Sequence, residues 1–277
     1  MKKKITEEEI SKANIEYHTK LSNSYDEEQG HFKSENVKRV EGILKKIAHE
    51  THSGSLLDIG CGTGFITNIA HKYFDRVVGI DITPAMLKKV RRYKNVELYL
   101  IDLFSASFKE EFDVCTAYSV LHHLPEPKLA FKKVNQFLKN GGYFYADQDP
   151  NFYYLESIRK NQRHFSSLPE IILKEWKSIN EIDTELEKKF NINKKITKLA
   201  EYHKLTKRGL FKEDKIINLL KDAGFAEVKF KYQWFLGQGY LKNKFSQKRL
   251  LEIENYLETI LPLSRDLFKY ISFIAKK

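Results

Sequence analysis

Cysteine, proline and long apolar runs are all scarce in this 277-residue chain. The two cysteines, Cys61 and Cys115, are too few for a disulfide scaffold and both fall in the strand motifs described below, so a reducing cytoplasm is the natural expectation. No window approaches the roughly 18 uninterrupted apolar residues of a membrane-spanning helix. Met1-Lys2-Lys3-Lys4 is basic but has no apolar stretch behind it, so no secretory signal is expected. Instead, Thr6 with Glu9 reads as a capping box that opens a helix. Repeats and low-complexity tracts are absent as well.

Charge is plentiful. Lysine and arginine total 48 against 37 acidic residues, a formal net charge of +11. Such a balance points either to anionic partners or to lysines spread over solvated helix faces. Pairs such as Lys45-Lys46, Lys88-Lys89 and Lys188-Lys189 favour the second reading, because no compact basic block with interleaved aromatics appears. Nucleic acid is therefore not the expected partner. The densest basic tracts, Lys194-Lys195, Lys198 and Lys204-Lys207-Arg208, leave open an anionic group on a substrate.

The most informative stretch is Leu56-Leu57-Asp58-Ile59-Gly60-Cys61-Gly62-Thr63-Gly64. An apolar run reaches a carboxylate, then three glycines alternate, then a helical pattern starts at Phe65. This predicts a buried strand, a turn that passes close to a ligand, and a helix N-terminus. A side chain at Gly60 or Gly62 is expected to take up the ligand's volume. The spacing fits neither the dinucleotide fingerprint nor a P-loop. Val77-Val78-Gly79-Ile80-Asp81 follows, its aspartate 17 residues beyond Gly64 and placed to accept hydrogen bonds from ribose hydroxyls. A third run, Val96 to Ile101, ends in Asp102. Asp58, Asp81 and Asp102 are thus expected along one edge of a parallel sheet.

With LLDIGCGTG (Leu56 to Gly64), VVGIDIT (Val77 to Thr83), Asp102-Leu103, FDVCTAYSVLHHL (Phe112 to Leu124) and LKNGGYF (Leu138 to Phe144), the chain resembles the class I S-adenosylmethionine-dependent methyltransferases that act on small molecules. The resemblance covers roughly Tyr17 to Asp149. It implies an α/β fold, a Rossmann-like seven-stranded sheet of order 3-2-1-4-5-7-6 with its last strand antiparallel, flanked by helices; the charged helical stretches Phe152 to Arg208 and Gln247 to Leu261 interrupt that pattern and are expected as helical cap insertions. It implies S-adenosyl-L-methionine as cofactor, with Asp58, Gly60, Gly62 and Gly64 in the binding motif and both Gly60 and Gly62 along the methionyl part. By the same likeness Asp81 holds the ribose, Ile82 packs on adenine, Asp102 and the Leu103 amide read the adenine edge, and the Tyr118 backbone faces the amino group. Tyr17 and Tyr25 resemble tyrosines that fold over the cofactor, with Tyr25 the better candidate.

Candidates for chemistry follow the fourth strand. His123 is the candidate base for a substrate oxygen, although the family often uses a histidine there to bond a loop carbonyl. A Cys61 nucleophile is not expected. Asp147, Asp149 and Asn151 offer oxygens at alternate positions, yet metal-dependent catechol-type relatives need an aspartate where Tyr118-Ser119 stand, so no metal is expected; a substrate contact by one of the two carboxylates remains open.

Four regions are expected: an N-terminal helical segment or lid over 1–50, a cofactor-binding core over 51–150, a helical substrate cap over 151–210, and completion of the core with a second helical insertion over 211–277. Within them, Leu129 to Leu138 reads as a helix stopped by Gly141-Gly142, Tyr143 to Asp147 as strand five, Ala226 to Trp234 as strand six and Lys269 to Lys276 as the last strand. Phe152, Tyr153, Tyr154, Phe165 and Trp176 make the cap region rich in aromatics. The expected activity is methyl transfer to O or N of a small or medium-sized metabolite. The alternatives are an RNA or tRNA methyltransferase using the basic insertion and a non-catalytic cofactor-binding relative; oligomeric state is not legible.

Overall fold

Seven runs rich in β-branched and aromatic residues pair into one sheet: β1 (Ser55–Ile59), β2 (Arg76–Asp81), β3 (Val96–Leu100), β4 (Phe112–Tyr118), β5 (Leu138–Pro150), β6 (Glu227–Phe235) and β7 (Phe268–Lys276). In the computed structural model the order is β3-β2-β1-β4-β5-β7-β6. β7 runs antiparallel to both neighbours, and the other pairs are parallel. This is the expected order, with the last strand antiparallel as expected. The structure describes residues 5–161, 167, 169–170, 172–173, 184–201 and 212–277. Phe165, Trp176, Lys204, Lys207 and Arg208 of the expected cap lie outside the described residues.

Both faces of the central strands are covered, which is why these strands read as unbroken apolar runs. The pleat sends successive side chains to opposite faces. Leu57, Val78, Cys115 and Phe144 join one buried layer, with Phe131, Ile216 and Phe273. Leu56, Val77, Val114 and Tyr145 join the other, with Val40, Leu44, Ile47 and Ile66. Helices Pro127–Phe137 and Glu213–Asp222 supply the first layer, and Ser34–Glu50 and Phe65–Ala70 the second. Cys61 and Cys115 are buried free thiols. Burial pushes both thiols up, so neither is a ready thiolate.

Two boundaries differ from expectation. The helix ends at Phe137, before Gly141-Gly142, because Leu138 is already extended and pairs with Phe112. Gly142 is needed for close approach instead: a Cβ there would stand 2.9 Å from the Asp113 and Lys139 carbonyl oxygens. Strand five outruns Tyr143–Asp147 because β7 continues to pair with it at Asp149 and Pro150, past an irregularity that puts Gln148 at φ 63°.

The N-terminal helix Glu7–Leu21 opens with the Thr6/Glu9 capping box. Its Tyr17 and Leu21 pack with Leu186, Ile192 and Ala200, so the helix Lys194–Ala200 rests on it. Among the described residues no helix is long and apolar enough to cross a membrane.

Candidate active site

The turn after β1 has the backbone that its glycines require. Gly60, Gly62 and Gly64 have φ of 62°, 54° and 94°, in the left-handed region open to glycine. Their reasons differ, however. A Cβ on Gly60 would stand 2.4 Å from Val120 Cγ2, and one on Gly64 would stand 2.9 Å from Val90 Cγ1. A Cβ on Gly62 would meet nothing within 4 Å. At Gly60, which like Val120 lines the cavity described below, a Cβ would also crowd that neighbouring side chain.

The three aspartates also part company. Asp81 accepts the Gly62 N–H through Oδ2 at 2.9 Å and the Thr83 N–H through Oδ1 at 2.7 Å. Each oxygen keeps a second lone pair. Asp102 Oδ1 accepts the Phe104 N–H at 2.7 Å. Asp58 turns under the loop, where its carboxylate accepts from the Thr67 N–H and hydroxyl and from the Thr116 hydroxyl. Burial outweighs those bonds and pushes its pKa up to about 7.

A cavity of about 350 Å³ opens along the carboxyl ends of β1–β4. That is within the range of small-molecule sites. Tyr25, Gly60, Gly62, Asp81, Ile82, Asp102, Leu103, Tyr118 and His123 all line it. Asp58 instead lines a small adjoining cleft with Gly60, Gly62 and Tyr118, and Gly64 lines neither. Tyr17 is buried in the cap contact, whereas Tyr25 faces the cavity. The short helix Tyr25–Glu28 is tied to the glycine turn, since Asp26 Oδ1 accepts the Thr63 hydroxyl at 2.5 Å.

His123 Nδ1 lies 2.8 Å from the Ala200 carbonyl, so that nitrogen carries the proton and donates. Burial and the adjacent His122 lower its pKa to about 3. The ring is therefore neutral, and it bonds a carbonyl at the end of the helix Lys194–Ala200 rather than the loop carbonyl that the resemblance implied. Asp147, Asp149 and Asn151 do not converge. Asp147 is fully buried, 2.8 Å from Arg39 Nη2 and bonded by the Tyr145 hydroxyl. Asp149 Oδ1 accepts the His122 backbone N–H, with His122 Nδ1 2.8 Å away, while the Asn151 amide donates to the Arg265 and Phe268 carbonyls. None of the three lines the cavity.

Residues 57–146 match the model of a family described as a methyltransferase domain. Over that stretch the chain is similar to S-adenosylmethionine-dependent methyltransferases. It is 36% identical over 119 residues to an uncharacterized methyltransferase of Schizosaccharomyces pombe, covering 40% of this chain and 45% of that one. It is 28% identical over 153 residues to a ubiquinone biosynthesis O-methyltransferase of Histophilus somni, covering 50% and 64%. The chain spans about half the length of the curated relatives it matches. A solved S-adenosylmethionine-dependent methyltransferase from Archaeoglobus fulgidus shares the fold, with a TM-score of 0.51, 19% identity, and coverage of 87% of this chain and 94% of that one.

The cavity has the features an adenosyl group needs: clear space at Gly62, the Asp81 carboxylate on its lining, and Ile82 beside Asp102 and Leu103. Sequence reasoning missed one wall. Glu7, Ser11, Asn14 and His18 of the N-terminal helix also line the cavity. Their spacing of three and four residues puts them on one helix face, the signal that would have found them.

Proposed function

We propose that this methyltransferase binds S-adenosyl-L-methionine across the carboxyl edge of β1–β4 and methylates an oxygen or nitrogen of a small or medium-sized metabolite. The observation that carries the reading is the pairing of Gly62 with Asp81. The carboxylate fixes the loop by accepting the Gly62 N–H, and a Cβ at that same residue would enter open space beside the cavity. Gly60, Gly62, Tyr25 and Tyr118 would hold the methionyl end, Asp81 the ribose, and Ile82, Asp102 and Leu103 the adenine. Asp58 and Gly64 support the loop from below.

The bound cofactor supplies a sulfonium methyl that is already activated. The protein's share is alignment of the acceptor and exclusion of water. Helices Glu7–Leu21 and Lys194–Ala200 serve as lid and cap. The name O-methyltransferase carried by several of the curated relatives favours an oxygen acceptor.

Calorimetry with S-adenosylmethionine and S-adenosylhomocysteine tests the cofactor, and an acceptor screen that counts S-adenosylhomocysteine tests the transfer. Asp81→Ala should weaken cofactor binding by about 1–3 kcal/mol, the usual loss for hydrogen bonds to a charged group. A folded variant of unchanged affinity removes the ribose assignment. Wild-type binding with no turnover on any metabolite pool defeats the enzymatic reading, and turnover on RNA alone redirects it.

A further inference from the structure

Behind the cavity wall, three residues far apart in sequence bring potential ligand atoms together. His122 and His123 come from the turn after β4, and Glu201 ends the helix Lys194–Ala200. One ligand atom from each lies within 4.8 Å of the others. His122 and Glu201 are 4% and 7% exposed, so neither belongs to a solvated surface cluster.

The hydrogen bonds orient both rings. The Asp149 carboxylate already accepts the His122 backbone N–H, and the same Oδ1 lies 2.8 Å from His122 Nδ1, so that nitrogen is the donor. His123 Nδ1 donates to the Ala200 carbonyl. In the neutral His123 ring Nε2 then carries the lone pair, and at His122 Nε2 carries it once that nitrogen gives up its proton to an incoming cation. Histidines that bind metals are fixed in this way, with the second nitrogen donating to a carboxylate or a backbone carbonyl. His122 Nε2 stands 3.8 Å from Glu201 Oε2. That is too long for a hydrogen bond. It is within the span of two bonds of about 2.0–2.2 Å to one shared ion.

We propose that His122, His123 and Glu201 bind a divalent transition cation of the zinc and cobalt class, with a remaining position open to an oxygen ligand. Two imidazoles and one carboxylate select such ions over magnesium or calcium. Asp149 and the Ala200 carbonyl act as the outer supports. Because His123 also lines the cavity, the open position would meet the acceptor, an extension that rests on the methyltransferase reading above. An acceptor hydroxyl held there would release its proton to solvent more readily. Its oxygen would then bond to the methyl carbon as the carbon–sulfur bond breaks, the electron pair staying on sulfur to leave a neutral thioether.

The test uses tag-free full-length protein stripped by chelator and titrated with Co²⁺, followed by visible absorption and calorimetry. One equivalent with d–d bands is expected. His122→Ala and Glu201→Ala should each weaken binding at least 100-fold, and Asp149→Asn by about 10–100-fold as an outer support. Glu201→Gln, nearly the same shape, carries the test if an alanine variant does not fold. S-adenosylhomocysteine is titrated into the same samples. Its binding without Co²⁺ binding overturns the metal site and spares the methyltransferase reading; failure of both ligands on folded wild-type protein overturns both. Stoichiometric Co²⁺ binding that persists in folded His122 and Glu201 variants places the ion elsewhere and overturns the assignment.

Discussion

Replacing Gly62 by alanine separates the ligand's demand from the fold's. The residue has φ 54° and its added Cβ would meet nothing within 4 Å. Folding therefore loses only the left-handed strain, about 1–2 kcal/mol. In a chain of this size that lowers Tm by roughly 2–8 °C, at about 2–4 °C per kcal/mol. Cofactor binding should suffer more, because the methyl group enters volume beside the cavity: at least tenfold in Kd for S-adenosylhomocysteine, or about 1.4 kcal/mol. Gly60→Ala is the control. Its Cβ would stand 2.4 Å from Val120 Cγ2, so overpacking of about 1–3 kcal/mol adds to the strain, and Val120→Ala should recover part of the loss. Calorimetry alongside thermal melts reads both effects. A folded Gly62→Ala protein that binds S-adenosylhomocysteine like wild type refutes the placement of the ligand over this turn.

His123 makes stability sensitive to acid. Its folded pKa of about 3 lies below the ordinary histidine value of 6.5, so its contribution is complete above about pH 6.5 and is lost as the pH falls from there toward 3. Urea unfolding of wild type and His123→Asn at pH 7 and pH 4.5 should show the variant losing less, and parallel losses would refute the idea. Arg39→Met strands the fully buried Asp147 and should cost about 3 kcal/mol or more, with Asp147→Asn in the same chain restoring part of it. Urea midpoints that show no such rescue would mean that the pair is not coupled.

The sheet was legible because its signals are local. Each of the parallel strands β1–β3 announces itself by an apolar run and an aspartate, and the glycines mark a turn that only they can make. The conformations at Gly60, Gly62 and Gly64 bear this out. What stayed hidden depends on contacts between distant segments. Nothing in the sequence near Gly60 names Val120 as its obstacle. Strand periodicity places Asp58 in β1 but does not say that Thr67 and Thr116 claim its oxygens. Likewise Arg39 meets Asp147 across 108 positions, and Glu201 reaches His122 only through the packing of a helix whose sequence carries no motif.

The helix Glu7–Leu21 does two jobs with one rigid rod of 15 residues, about 22 Å long at 1.5 Å per residue. Ser11, Asn14 and His18 border the chamber, while Tyr17 and Leu21 on the same rod carry Leu186, Ile192 and Ala200. A tilt of this rod would therefore carry the packed segment above it along. Under the proposed function, departure of one product and unveiling of the acceptor's compartment would be a single mechanical event, with the Asp26–Thr63 hydrogen bond beside it to break.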